Sequence, residues 1–220
     1  YELNCRGAGY LAEAAQKARI PFLHISTDYV YPGKGTAPEA EDDATAPANV
    51  YGQTKLDGEK AALDACERTL VMRTAWVFCE HGNNFIKTML RLGRTHAELR
   101  VVDDQTGGPT YAGDIAKSLL RMASAVLGSS DFAGYGIYNY CGSPFVTWRE
   151  FAEAIFSGAL SQGIIKQAVK VTPIPSSAYP TPAVRPLNSR LSMEKIHRVF
   201  GISPSDWKAA IADLRGYAPA

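Results

Sequence analysis

The sequence has no C-x-x-C pair: Cys5, Cys66, Cys79 and Cys141 are scattered along its 220 residues. That spacing excludes the usual redox dithiol, and so few thiols in so long a chain do not make a disulfide framework. His24, His81, His96 and His197 are equally dispersed, without metal-ligand spacing. No apolar run approaches the ~20 residues of a membrane-crossing helix, and the first residues lack a signal-peptide pattern. An excess of one charge is missing too. A net charge of +1 gives no electrostatic reason to expect nucleic acid or an anionic membrane as partner. The expectation is a metal-free cytoplasmic protein.

What is present is an ordinary globular composition, 46% apolar and 20% charged, in a chain long enough for one large domain or two small ones. Alanine-rich periodicity predicts a helix over 4–18, with Leu11, Ala12, Ala15 and Ala18 as its apolar stripe. Short apolar runs at 21–26 (PFLHIS) and 69–74 (TLVMRT) read as buried parallel strands, with a helix over 50–66 between them. Helices over 83–95, with an asparagine cap, and 111–127 follow, and strands at 99–102, 136–140 and 169–174. Thr147 and Glu150 form a capping box ahead of a helix whose Phe151, Ile155 and Leu160 point one way. The proline-rich stretch 173–191 has no periodicity, and short helices at 193–200 and 206–214 close the chain. Alternating helices and strands of these lengths imply βαβ units, an α/β fold with a parallel sheet. In such sheets chemistry sits beyond the carboxyl ends of the strands, which selects Ser26, Thr27 and Asp28 after one strand and Trp76 after the next.

Between those strands lies Tyr51-Gly-Gln-Thr-Lys55. Residues four apart share a helix face. An ammonium beside a phenol favours the phenolate and lets the tyrosine move a proton near neutral pH, as carbonyl reduction or alcohol oxidation requires. The spacing alone is a weak pattern. A second pattern, Gly7-Ala-Gly9-Tyr-Leu-Ala12, has the form of a dinucleotide fingerprint with Asp28 downstream. That motif works only when an apolar strand leads into it; the polar, helix-like YELNCR precedes it here, so the glycines are read as helix-packing positions. The acidic patch Glu39, Glu41, Asp42 and Asp43 is read as a solvated loop.

The segments Ser26–Tyr31 (STDYVY), Tyr51–Glu59 (YGQTKLDGE) and Arg73–Phe78 (RTAWVF) closely resemble the extended short-chain dehydrogenase/reductases, and within them the dTDP-4-dehydrorhamnose reductases. The similarity continues through Gly82–Phe85, Thr88–Leu92, Asp104-Gln105 with Pro109-Thr110, and Arg185–Leu191, so it covers essentially the whole chain. The resemblance implies a Rossmann-type doubly wound parallel sheet over 1–79 and 111–141. It implies a smaller α+β substrate domain over 80–110 and 142–220. It further implies reduction of the C4 ketone of a dTDP-sugar with NADPH or NADH.

Carried over by position, Tyr51 donates the proton and Lys55 bridges the cofactor ribose hydroxyls, with Ser26 beside them on the cofactor. Thr27, counted with the catalytic residues, and Asp28 hold the sugar; Trp76 lines its pocket; Asn84 and Arg185 contact the nucleotide diphosphate; Asn4 braces the backbone. There are two departures. Members of the family carry a glycine-rich βαβ unit upstream, so the chain reads as a fragment lacking that phosphate cradle. Gly113 stands where some members place a metal-bridging glutamate used in dimerisation, which puts that route to a homodimer in doubt. The alternatives are a non-catalytic, reductase-like regulatory or sugar-nucleotide-binding subunit, or an epimerase or dehydratase of the same extended family.

Overall fold

The computed structural model describes residues 1–218; the last two residues assigned to the substrate domain lie outside them. A π-helical turn over Glu2–Arg6 runs straight into α1 (Gly7–Ala18). Among the described residues no strand leads into the Gly7/Gly9 pair, and Gly9 is buried against the next helix, with Ala61 beside it. Small residues let the two helices approach closely: Ala12, Ala15 and Ala62 are almost wholly buried. Leu11, by contrast, is 64% exposed, because the apolar stripe of α1 is carried by Ala8, Ala12 and Ala15.

Strand β1 (Phe22–Thr27) leads through a 3-10 turn at Asp28–Val30 and a long loop into α2 (Val50–Ala65), and β2 (Thr69–Thr74) follows. Then come β3 (Val77–Phe78), α3 (Phe85–Gly93), β4 (Glu98–Val102), β5 (Thr106–Gly107), β6 (Thr110–Tyr111) and α4 (Ala112–Leu127). The remainder is β7 (Gly136–Tyr140), β8 (Gly142–Ser143), β9 (Val146–Thr147), α5 (Trp148–Ser161), β10 (Lys170–Ile174), β11 (Asn188–Ser189), α6 (Glu194–Phe200), β12 (Ser205–Asp206) and α7 (Trp207–Ala210). The capping box of Thr147 and Glu150 starts α5 as expected. Leu160 is 40% exposed, and Phe156 and Ala159 fill the core in its place.

Three strands form the main sheet in the order β1-β2-β7, all parallel. β2 is buried along its whole length, which explains its unbroken apolar character. The register pairs Thr27 with Thr74 and Thr74 with Tyr140, so the three carboxyl ends stop at one level. A second body of small sheets, with β4 paired to β10 and β5 between β11 and β9, packs around Phe78, Ile86, Leu90, Phe151, Ile155 and Trp207. Ile196, Phe200 and Ile202 join Leu70, Met122 and Tyr138 in the core of the main sheet. Residues 194–202, which the resemblance assigns to the substrate domain, thus pack against that sheet. The last expected helix shrinks to α7 and a 3-10 turn at Arg215–Tyr217.

Candidate active site

The site forms where α2 begins beside the carboxyl end of β1. Asn49 caps α2, its Oδ1 accepting the Gly52 N–H at 2.8 Å, while its Nδ2 donates to Val184 O at 2.8 Å. One side chain thus starts the helix and fastens the proline-rich segment to it. Gly52 allows the first turn to lie on the Asp28–Val30 turn: a Cβ there would stand 2.2 Å from Tyr29 O. Gly52→Ala is therefore expected to push α2 off that turn, costing about 1–3 kcal/mol of stability and most of the turnover; urea unfolding and steady-state rates check both. Gly58 meets Asn4 O in the same way, with a Cβ only 2.0 Å away. Asn4 Nδ2 also donates to Thr54 Oγ1 at 3.1 Å, and Thr54 Oγ1 donates to Tyr51 O at 2.9 Å. Asn4 thus braces the helix on the turn that carries the tyrosine.

Tyr51 is 49% exposed and meets Tyr29 edge-on, with ring centroids 5.6 Å apart. The electrostatics differ from the sequence expectation. Lys55 Nζ donates to Ile25 O of β1 at 2.6 Å and is not among the groups that act on the phenol. The Tyr51 pKa is raised, by burial first and by the Asp28 charge, against an opposing hydroxyl contact from Thr27. Lys55 is itself shifted down by burial, with Glu59 opposing. A phenol held above its ordinary range is protonated at neutral pH, the state a proton donor needs.

Thr27 Oγ1 donates to Asp28 Oδ1 at 3.1 Å and accepts the Tyr29 N–H at 3.3 Å. Asp28 is 4% exposed, and burial raises its pKa to about 6. Its charge acts on Tyr51 and Tyr29, and its Oδ1 accepts from Thr27. Ser26 is buried, and its Oγ has no hydrogen-bond partner; His24 Nε2, two residues back on the same face of β1, has none either. Burial, then the Lys55 charge, push the His24 imidazole down to about 4. A folded pKa below the unfolded one stabilises above pH ~6.5, and this contribution is lost as pH falls towards 4. Asp28, with its pKa raised, acts in the opposite sense over much of that window. The test is therefore a difference: wild type should lose thermal stability relative to His24→Gln between those pH values in paired melts.

Trp76 follows β2 with φ 49, a backbone conformation rare for a bulky residue. Its indole stacks on Trp148, centroids 3.5 Å apart and planes 10° apart. Trp148 Nε1 donates to Gln105 Oε1 at 3.1 Å, and Gln105 Nε2 to Ser176 Oγ at 2.9 Å. Beyond this pair opens a cavity of about 900 Å³ lined by Phe85, Val101, Gln105, Trp148, Arg185 and Leu187. It has apolar walls with a few polar groups, the usual character of a small-molecule site. Arg185 is exposed on its rim and acts electrostatically on Tyr29. Asn84 caps α3, as the asparagine cap read from the sequence anticipates: its Oδ1 accepts the Lys87 N–H and its Nδ2 donates to Cys79 O at 2.6 Å. Reading the sequence missed Trp148, taken only as the first residue of a helix. Its stacking partner lies in a distant segment, and no local pattern links them. Among the described residues no cluster has metal-binding composition, and no helix is long and apolar enough to cross a membrane.

A parallel sheet, a Tyr-x-x-x-Lys helix beside its carboxyl edge and a separate body carrying a ligand-sized cavity define a reductase of the Rossmann-like short-chain class. The chain belongs to the family described as RmlD substrate binding domain, whose sequence profile matches residues 1–216. It is 45% identical over 218 residues to a dTDP-4-dehydrorhamnose reductase of Aggregatibacter actinomycetemcomitans, covering 99% of this chain and 74% of that protein. Identity to the enzyme of the same name from Escherichia coli K12 is 43%, covering 95% of this chain and 69% of the relative. Among solved structures, a Clostridium acetobutylicum dTDP-4-dehydrorhamnose reductase superposes with a TM-score of 0.85 at 36% identity, over 96% of this chain and 70% of that one. A Bacillus anthracis dTDP-4-dehydrorhamnose reductase in complex with NADP gives 0.83 at 32% identity, over 94% and 69%.

Proposed function

We infer that the chain reduces the C4 ketone of dTDP-4-dehydro-L-rhamnose to give dTDP-L-rhamnose. The observation that carries this reading is the 45% identity to a dTDP-4-dehydrorhamnose reductase over 99% of the chain, and the site has groups suited to each task. NADPH or NADH, when bound, supplies the hydride. The residues present fit such a cofactor. An ammonium, Lys55, rests on a carbonyl of β1, and the Ser26 hydroxyl of the same strand has no partner. Lys55, Ser26 and Tyr51 hold the nicotinamide half in this reading. Tyr51 gives its proton to the C4 oxygen, and Thr27 fixes that oxygen beside the phenol, a positioning effect. Trp148 lines the cavity with Trp76 stacked on it, and in this reading the indole pair walls the sugar side while Arg185 provides the charge for the diphosphate.

The protein, given NADPH or NADH, should consume it only when dTDP-4-dehydro-L-rhamnose is added, as followed by nicotinamide absorbance. Consumption independent of the sugar nucleotide, or none with it, contradicts the reading. Arg185→Ala should raise KM for the sugar nucleotide about tenfold with little change in kcat, because a diphosphate contact is made equally in ground and transition states.

A further inference from the structure

The turn between β4 and β5 touches both stacked indoles. Thr147 Oγ1 donates to Asp103 Oδ1 at 2.7 Å, and Arg149 Nε lies 2.9 Å from Asp103 Oδ2, so both chain neighbours of Trp148 are tied to one carboxylate. Gly107 lies against the other indole, where a Cβ would stand 2.6 Å from Trp76 Cε2. Gln105 is buried and accepts the Trp148 N–H. Asp104 is exposed and has no part in the reaction as described. It nevertheless accepts the Ser176 N–H with both oxygens, at 2.9 and 2.8 Å, and the Ser176 hydroxyl at 2.6 Å. Gln105, Ser176 and Trp148 all line the cavity.

We propose that Asp104 is a positioning residue for the cavity wall, fixing through Ser176 and Gln105 the hydrogen bond that holds the Trp148 indole. The proton count carries this. An indole N–H can only donate, so Gln105 turns Oε1 towards it and Nε2 towards Ser176. Ser176 Oγ then accepts, at 2.9 Å, and its single proton needs an acceptor elsewhere. Asp104 Oδ1 is that acceptor, and an ionised carboxylate can only accept. With a donor at one end and an acceptor at the other, the hydroxyl and amide between them keep one orientation, although each could face either way. Without the carboxylate, Ser176 could turn its proton to a flipped Gln105 amide, leaving Gln105 Nε2 against the indole N–H, donor facing donor. Because Asp104 is exposed, it keeps its charge in water and avoids the desolvation cost of a buried carboxylate. The same carboxylate anchors the first residue of the 3-10 turn at Ser176–Ala178, from which the chain runs on to Arg185 at the cavity. The consequence for binding rests on the proposed reduction, with the sugar nucleotide in this cavity; the order of the hydrogen bonds does not.

The experiment is proton–nitrogen NMR of the three tryptophan indole N–H groups in Asp104→Ala, with the Trp148 signal assigned by its loss in Trp148→Phe. The Trp148 signal should move upfield and exchange faster with water. Trp207, whose N–H donates to Pro144 O at 2.9 Å, should stay in place. Ser176→Ala should move the Trp148 signal in the same direction, and Ser176→Thr, which keeps the hydroxyl, should return it. An unchanged Trp148 signal overturns the proposal, and so does a Trp207 signal that moves with it, the mark of general loosening. Should Asp104→Ala fail to fold, the two Ser176 variants decide by themselves. In turnover, Asp104→Ala should raise KM for dTDP-4-dehydro-L-rhamnose about fivefold, the worth of one hydrogen bond, with kcat changed by less than about twofold. Adding Ser176→Ala should cost nothing more, because both act through one chain of bonds. A KM equal to wild type overturns the role in binding. The indole measurement needs neither substrate nor cofactor, so a failure of the proposed reduction and a failure of this inference are told apart.

Discussion

Replacing Tyr51 by phenylalanine is expected to lower kcat by about 10³-fold, with KM for the sugar nucleotide changed by less than about threefold. Asn49 caps α2, Gly52 brings its first turn against Tyr29, and Thr54 hydrogen-bonds the Tyr51 carbonyl. These contacts fix the Tyr51 backbone, leaving the half-exposed phenol beside Thr27. Phenylalanine keeps the ring and its edge contact with Tyr29 but removes the only atom able to give a proton. Binding should survive, because Arg185 and Trp148 line the cavity and Tyr51 does not. Steady-state rates with a melting curve for each protein decide the matter. Turnover within tenfold of wild type would remove Tyr51 from the mechanism.

The second large effect is on stability. Glu59, one helical turn beyond Lys55, is 1% exposed and takes two hydrogen bonds from Arg73 Nε, at 3.0 and 3.2 Å, and one from Nη2 at 2.7 Å. Arg73 is 2% exposed in β2, and its Nη1 donates to the Tyr31 hydroxyl at 2.8 Å. That hydroxyl lies 2.9 Å from Ala40 O and 3.0 Å from Asn139 Oδ1, with its one proton available for one of them. A single network therefore ties α2, β2, β7 and the loop after β1. Glu59→Ala leaves the guanidinium buried without its carboxylate, a change expected to cost about 3–5 kcal/mol. At this chain length that is a fall in Tm of about 6–20 °C. Replacing both partners by methionine should restore most of the loss, because the penalty comes from the orphaned charge rather than the missing attraction. Calorimetry on the two variants separates these cases. A Glu59→Ala protein melting within ~2 °C of wild type would contradict the account.

The elements were legible where periodicity and capping acted locally. TLVMRT reads as a buried strand because both its faces are covered, and Thr147 with Glu150 marks the start of α5 without help from tertiary contacts. The two-residue strands β3, β5, β6, β8, β9, β11 and β12 were not legible, since segments so short have no period to detect. Leu11 and Leu160 misled for a related reason: alanines at neighbouring positions take the buried face, and hydrophobicity alone does not say which residue faces in. At the site, sequence spacing pointed to Tyr51, Lys55, Thr27 and Trp76. It could not show that Lys55 lies on a strand carbonyl or that Trp148 backs Trp76. Each depends on a partner remote in sequence or on side-chain direction, which no one-dimensional pattern contains.

The central claim is that this chain delivers hydride to C4 of the sugar while Tyr51 supplies the proton to its oxygen. The direct measurement uses nicotinamide cofactor deuterated at the transferring position, with the product examined by proton NMR. The account predicts deuterium at C4 of dTDP-rhamnose, formed in step with oxidised cofactor, and loss of both in Tyr51→Phe. Label at any other carbon, or a converted sugar with no net oxidation of the cofactor, as an epimerase or dehydratase would give, contradicts it.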